Sequence, residues 1–169
     1  MSAIATIGTD SPDRPHKIDL WWEDLKVGHR AVSPGRTVTE ADLTNFAGLS
    51  GDYNQLHVDV EYAKSKGFGG KRVVHGLLGQ AIGSGLYTRT WLGTGTQKNM
   101  VAMLKIEWFF RAPVFVGDTL TCTIEIIETR ETSKPDRGLA RIKRQLFNQN
   151  HELVQEGESV FLMYRRPAE

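Results

Sequence analysis

Apolar and polar positions alternate most clearly in LKIEWFFR, residues 104–111. Leu104, Ile106, Trp108 and Phe110 fall on one side of an extended chain, and Lys105, Glu107 and Arg111 on the other. A two-residue period predicts a strand, because successive side chains of a strand point to opposite faces. The same period recurs in TLTCTIEI, residues 119–126, where Leu120, Cys122, Ile124 and Ile126 alternate with Thr119, Thr121, Thr123 and Glu125. It returns more weakly over 141–147 and 159–164, and turn-forming residues occupy 112–118, 133–138 and 148–151. Strands that follow one another through short turns, with no helix between them, predict an antiparallel meander.

The front half of the chain has a different pattern. Thr39 followed three residues later by Asp42 has the form of a capping box and predicts a helix start. A second short helix is expected over 59–66. The third helix candidate, GLLGQAIGSGLYTRTWL (76–92), places Leu78, Ile82 and Leu86 four apart on one face, yet also carries Gly76, Gly79, Gly83 and Gly85. Each glycine in a helix interior costs about 1 kcal/mol relative to alanine. A sheet wrapped so tightly that another backbone comes close to the glycines would offset that cost, whereas an irregular segment is the alternative. One central helix against a multi-stranded antiparallel sheet is an α+β architecture.

With 169 residues, 21 basic and 20 acidic side chains and 40% hydrophobic residues, the chain has the balance of one globular domain. Its net charge of +1 gives no global reason to expect nucleic acid or an anionic membrane as a partner. The single cysteine, Cys122, excludes an intramolecular disulfide, and no Cys/His spacing resembles a zinc site, so a reducing cytoplasm is expected. The first residues lack the basic and apolar regions of a signal peptide, and no long apolar run predicts a membrane span. Residues 1–18 read as a flexible arm ahead of a single domain over 19–169.

Candidate chemistry sits in SGDYNQLH, residues 50–57, which places the carboxylate of Asp52 and the imidazole of His57 five positions apart. Adding water across a double bond conjugated to a thioester requires a base for the water, a proton donor for the α-carbon, and donors for charge on the thioester oxygen. Asp52 and His57 have the chemistry for the first two. The third can come from RVVHGL, residues 72–77, which leads into the glycine-rich helix, because amides at a helix N-terminus are unsatisfied donors. Gly76 N–H is the candidate.

The stretch FAGLSGDYNQLHVDVEYA, residues 46–63, resembles the signature of the MaoC-like dehydratases, also called (R)-specific enoyl-CoA hydratases or hydratase 2 enzymes. Gln55 stands where that pattern has proline. VVHGLL (73–78) and FRAPVFVGDTL (110–120) are similar to the same family. The resemblance implies a hot-dog fold, in which an antiparallel sheet wraps a long helix. It also implies dimers with acyl tunnels near the subunit interface, and reversible hydration of trans-2-enoyl thioesters to (R)-3-hydroxyacyl thioesters. By position, Asp52 and His57 carry over as the catalytic pair, Gly76 as the amide donor and Asn54 as a supporting residue. Coenzyme A or an acyl-carrier protein would bear the acyl group; water would be the co-substrate, with no metal and no dissociable cofactor.

Other polar residues have two readings each. His75 either orients the acyl group or is a structural histidine, and the basic run Lys64, Lys66, Lys71 and Arg72 either meets phosphates of coenzyme A or is a solvated loop. Asp118 reads as turn chemistry. Gly48-Leu49-Ser50 starts like a nucleophile elbow, but Asp52 occupies the position where that motif needs glycine. Thioester hydrolysis on the same fold, and a non-catalytic acyl-CoA-binding or subunit-pairing role, are the competing functional readings.

Overall fold

In the computed structural model, which describes residues 7–15, 19–66 and 68–167, the alternating segments become four long strands. They are β3 (Met100–Phe110), β4 (Thr119–Glu131), β5 (Arg137–Phe147) and β6 (Leu153–Tyr164). Two short strands precede them, β1 (Arg30–Val32) and β2 (Arg36–Thr37), and both pair with β4. Every pairing is antiparallel, and the long path through the sheet runs β1-β4-β5-β6-β3. Leu120, Cys122, Ile124 and Ile126, the predicted inward set of β4, are at most 1% exposed.

The meander holds for β4, β5 and β6 but not for β3, which lies beside β6 at the far edge and does not pair with β4. The link after β3 closes no hairpin because its backbone is engaged elsewhere. Val74 N–H donates to Val114 O at 2.8 Å, and Val73 forms a bridge with Phe115. As an edge strand β3 also departs from clean alternation. Its register against β6 shifts between Met103 and Lys105, and Leu104 and Phe110 are 57% and 54% exposed although Ile106 and Trp108 are half-buried.

Helix α1 (Glu40–Ser50) starts at the predicted box: Asp42 N–H donates to Thr39 Oγ1, and Thr39 N–H donates to Asp42 Oδ2 at 2.8 Å. Helices α2 (Gln55–Val58) and α3 (Val60–Lys64) follow, the second capped by Asp59, whose Oδ1 accepts from Tyr62 N–H. The single helix expected over 76–92 is two: α4 (Gly76–Tyr87) and α5 (Trp91–Thr96). The break has a local cause. Thr90 Oγ1 accepts from Gly93 N–H and caps a new helix, which folds back so closely that a Cβ on Gly93 would lie 2.1 Å from Tyr87 O.

Helix α4 buries Leu78, Ile82 and Leu86 against the sheet, as its spacing predicts. Its glycines are explained differently from expectation. A Cβ on Gly79 would lie 2.3 Å from Gln155 Nε2, and one on Gly83 would lie 2.7 Å from Leu146 Cδ1, so what comes close is sheet side chains and not a second backbone. Part of the N-terminal segment runs along β1: Val32 N–H donates to Asp10 Oδ1, and Ser11 N–H donates to Arg30 O, each at 2.9 Å. The arm's residues 1–6 and 16–18 lie outside the described residues. Among the described residues no helix is long and apolar enough to cross a membrane.

Burial by itself would raise the Asp42 carboxyl. Hydrogen bonds from the Thr39 amide and hydroxyl, together with Arg36, outweigh it and hold the group below the usual carboxylate range. A depressed folded-state value stabilises the fold above the unfolded value, and that stabilisation is lost as pH falls through the folded one. Asp42→Ala is therefore expected to lower unfolding free energy by about 1–2 kcal/mol at neutral pH. In urea titrations the gap from wild type should narrow as pH drops below about 4.

Candidate active site

Helix α1 ends at Gly51, whose φ of 73° lies in the left-handed region, and the chain turns sharply into the octet. Two side-chain bonds then set the loop. Asp52 Oδ1 accepts from Asn54 N–H at 3.1 Å, and Asn54 Oδ1 accepts from Leu56 N–H at 3.0 Å, which makes Asn54 the N-cap of α2. Gln55 is the first residue of α2. Proline is favoured at that helix position because its missing N–H has no intrahelical acceptor to lose. Glutamine stands here at a position where a helix also accepts proline.

His57 faces back toward the segment before α4. Its Nδ1 lies 2.7 Å from Val73 O, and since a carbonyl only accepts, Nδ1 carries the proton and Nε2 presents a lone pair in the neutral ring. His75, 2% exposed, lies with Nε2 2.9 Å from Asp52 O and donates to it. The two rings stack with centroids 3.8 Å apart. The loop after α1 and the start of α4 are thus tied by two histidine-to-carbonyl bonds and a ring stack. One ligand atom each from Asp52, His57 and His75 lie within 4.8 Å of one another, close enough to share a water or to hold a cation.

Beside this cluster is a cavity of about 320 Å³, whose lining includes His57, Val73, Gly76, Phe110, Arg111 and Gln155. Asp52 is exposed and does not line it. Gly76 is the first residue of α4, so its N–H has no partner within the helix. Lys71 and Arg72 do not join this cavity. They line a separate hollow of about 250 Å³ with Glu40 and Phe115, where Arg72 pairs with Glu40 and Lys71 lies over the Phe115 ring. Gln155, absent from the sequence-based candidates, is 3% exposed and donates from Nε2 to Gly76 O at 3.2 Å. Nothing in the sequence singles it out: it is followed by Glu156, Gly157, Glu158 and Ser159, and the weak alternation there begins at Ser159, beyond it.

Residues 26–144 match the model of the MaoC like domain. The chain belongs to the MaoC-like family. It is 33% identical over 138 residues to the (R)-specific enoyl-CoA hydratase of Aeromonas caviae, a match that covers 82% of this chain and 95% of that protein. It is also similar to the crystal structure of the MaoC-like dehydratase from Rhodospirillum rubrum, with a TM-score of 0.78 at 27% identity, covering 88% of this chain and 99% of that one. A Mycobacterium tuberculosis protein with a double hotdog fold matches with a TM-score of 0.76 at 21% identity, over 89% of this chain and 46% of that one, and bears on the fold alone. The fold of this MaoC-like chain, a central helix on an antiparallel sheet, is the hot-dog fold.

Cys122, the one thiol of this MaoC-like chain, lies away from the cavity on the inner face of β4. Burial pushes it up to about 12, against the smaller opposing effect of the Arg144 charge. A thiol that stays protonated is not a nucleophile. In the folded protein Cys122 is expected to be inert to a colorimetric disulfide reagent at pH 8 and to react stoichiometrically once denaturant is added.

Proposed function

We propose that this protein reversibly hydrates trans-2-enoyl thioesters to (R)-3-hydroxyacyl thioesters. The observation that carries the reading is the convergence of Asp52, His57 and His75 within 4.8 Å, beside a cavity that Gly76, the first residue of α4, also lines. Family membership and the similarity to an (R)-specific enoyl-CoA hydratase support it.

In this reading the acyl thioester lies in the cavity with its carbonyl oxygen toward Gly76 N–H. A water is held between the Asp52 carboxylate and the Nε2 lone pair of His57, both of which accept its protons. The pair takes one proton as the water oxygen bonds to C3. The C2–C3 π electrons move toward the thioester, and the oxygen that becomes negative is stabilised by the Gly76 amide. The pair then returns its proton to C2 as the enolate collapses, so the elements of one water are added and neither side chain changes overall. Asn54 keeps the Asp52 loop in shape through the hydrogen bonds described above. Coenzyme A or a carrier protein brings the acyl group.

The partner is a second copy of the chain. Among the described residues β3 is a free edge next to β6, and it exposes Met103, Leu104, Phe109 and Phe110 at 51%, 57%, 44% and 54%. An apolar edge with unpaired backbone groups is a template for another strand. Phe110 also lines the cavity, so a copy seated on this edge would close the site from outside.

The chemistry is tested with crotonyl-CoA by following loss of the conjugated ultraviolet band. Asp52→Asn and His57→Gln are each expected to lower the rate by about 10²–10⁴, the usual contribution of a general acid or base. Wild-type rates in both variants would overturn the mechanism, and release of free thiol from a saturated acyl-CoA would point to hydrolysis instead. For the assembly, sedimentation of the wild type should give a dimer or larger, and Leu104→Lys should shift it toward the monomer.

A further inference from the structure

The cavity wall contains a buried polar chain that the mechanism above does not use. Gln155, on β6, donates from Nε2 to Gly76 O at 3.2 Å and accepts at Oε1 from Trp108 Nε1–H at 2.9 Å. Both partners are chemically unambiguous, since a carbonyl only accepts and an indole N–H only donates, so the orientation of the Gln155 amide is fixed by them. Trp108 is held in turn. The Arg144 guanidinium lies over its ring at 5.1 Å and is itself bonded to Ser84 and Ser159.

Two glycines make room for this arrangement. A Cβ on Gly79 would meet Gln155 Nε2 at 2.3 Å, and a Cβ on Gly157 would meet Trp108 Cε3 at 2.4 Å. The glutamine is wedged against the first turn of α4 by packing as well as by its hydrogen bond. That turn carries Gly76, and directly before it His75, whose imidazole donates to Asp52 O and stacks on His57.

We infer that Gln155 is a positioning residue: clamped by Trp108, it fixes the first turn of α4 and thereby the aim of the Gly76 amide and the seat of His75 against Asp52 and His57. The inference rests on the hydratase reading. Gln155 moves no proton in it. Its contribution is to hold the amide donor in place as charge builds on the thioester oxygen, so its loss acts on turnover more than on substrate binding.

Gln155→Met keeps the volume and removes both hydrogen bonds. With crotonyl-CoA, well below the melting temperature of every variant, kcat is expected to fall about tenfold while KM stays within about twofold. Trp108→Phe, which leaves Gln155 without its clamp, should shift kcat in the same direction, and the double variant should lose less than the sum of the two, because both act through one link. Gln155→Glu retains the acceptor for Trp108 but sets an oxygen against Gly76 O. Its kcat relative to wild type should rise as pH falls, when the protonated carboxyl again donates.

Unchanged kcat in Gln155→Met with a lowered melting temperature, or a flat pH ratio in Gln155→Glu, would make Gln155 a packing residue only and overturn the inference. Hydrogen exchange of the Gly79 amide, which donates to His75 O and closes the first turn of α4, gives a readout independent of turnover: it should accelerate in Gln155→Met, and unchanged exchange would also overturn the inference. If wild type itself fails to hydrate any enoyl-CoA, the hydratase reading falls, whereas the exchange result still decides whether Gln155 holds the turn.

Discussion

Helix α4 lies where it does because Gly79 and Gly83 present no Cβ to the sheet, and Gln155 and Leu146 occupy the space those atoms would fill. A methyl group at either position would push the helix outward or displace a core side chain, and interiors packed as densely as crystals accommodate neither cheaply. The glycines weaken the helix locally, yet Leu78, Ile82 and Leu86 between them are buried deeply enough to hold it to the sheet. The close approach has a functional side. It brings the helix N-terminus, with its unpaired amides, to the wall of the cavity rather than leaving it in solvent.

Around that N-terminus the backbone is crowded with specific partners. Val73 O takes the His57 N–H, Val74 N–H goes to Val114 O, and His75 reaches Asp52 O, so three segments meet at the residues that precede α4. A carbonyl is the partner of each histidine, which sets the tautomer of the ring. With Nδ1–H given to Val73 O, Nε2 is the ring nitrogen left to face other groups, and a ligand atom of His57 lies within 4.8 Å of one from Asp52. The two acceptors form a seat for the protons of a water, and a backbone carbonyl aims each histidine of the cluster.

The far side of the sheet is governed by other forces. Most of the ion pairs on the outer faces of β4, β5 and β6 are half-exposed, as with Arg141 between Glu128 and Glu158, and pairs of that kind contribute little to stability. Arg144 lies instead on the inner face of β5, in the buried parity with Ala140, Ile142 and Leu146. It is 1% exposed; Nη1 and Nη2 donate to the Ser84 and Ser159 hydroxyls and the guanidinium lies over the Trp108 ring, while Nε has no partner and no carboxylate is bonded to it among the described residues. A buried cation is tolerated only where polar groups replace its water, and here the same groups brace the indole that holds Gln155.

Much of this was legible in the chain, because some information is local. A two-residue period states which side chains share a face, and β4 obeys it. Thr39 and Asp42 cap a helix through bonds spanning three residues, and the octet carries its own turn through Asp52, Asn54 and Gly51. What the tertiary structure alone decided involves residues far apart. The place of β3 beyond β6 depends on where Val114 and Phe115 find backbone partners, and the contact of Gln155 with Gly76 spans 79 positions. The tight return of α5 onto the Tyr87 carbonyl is also a matter of packing, although the Thr90 cap that starts α5 is local. Local hydrogen bonds and side-chain parity are written into short stretches of sequence. Which distant surfaces meet is settled by the packing of the whole chain, and this site is built from such meetings.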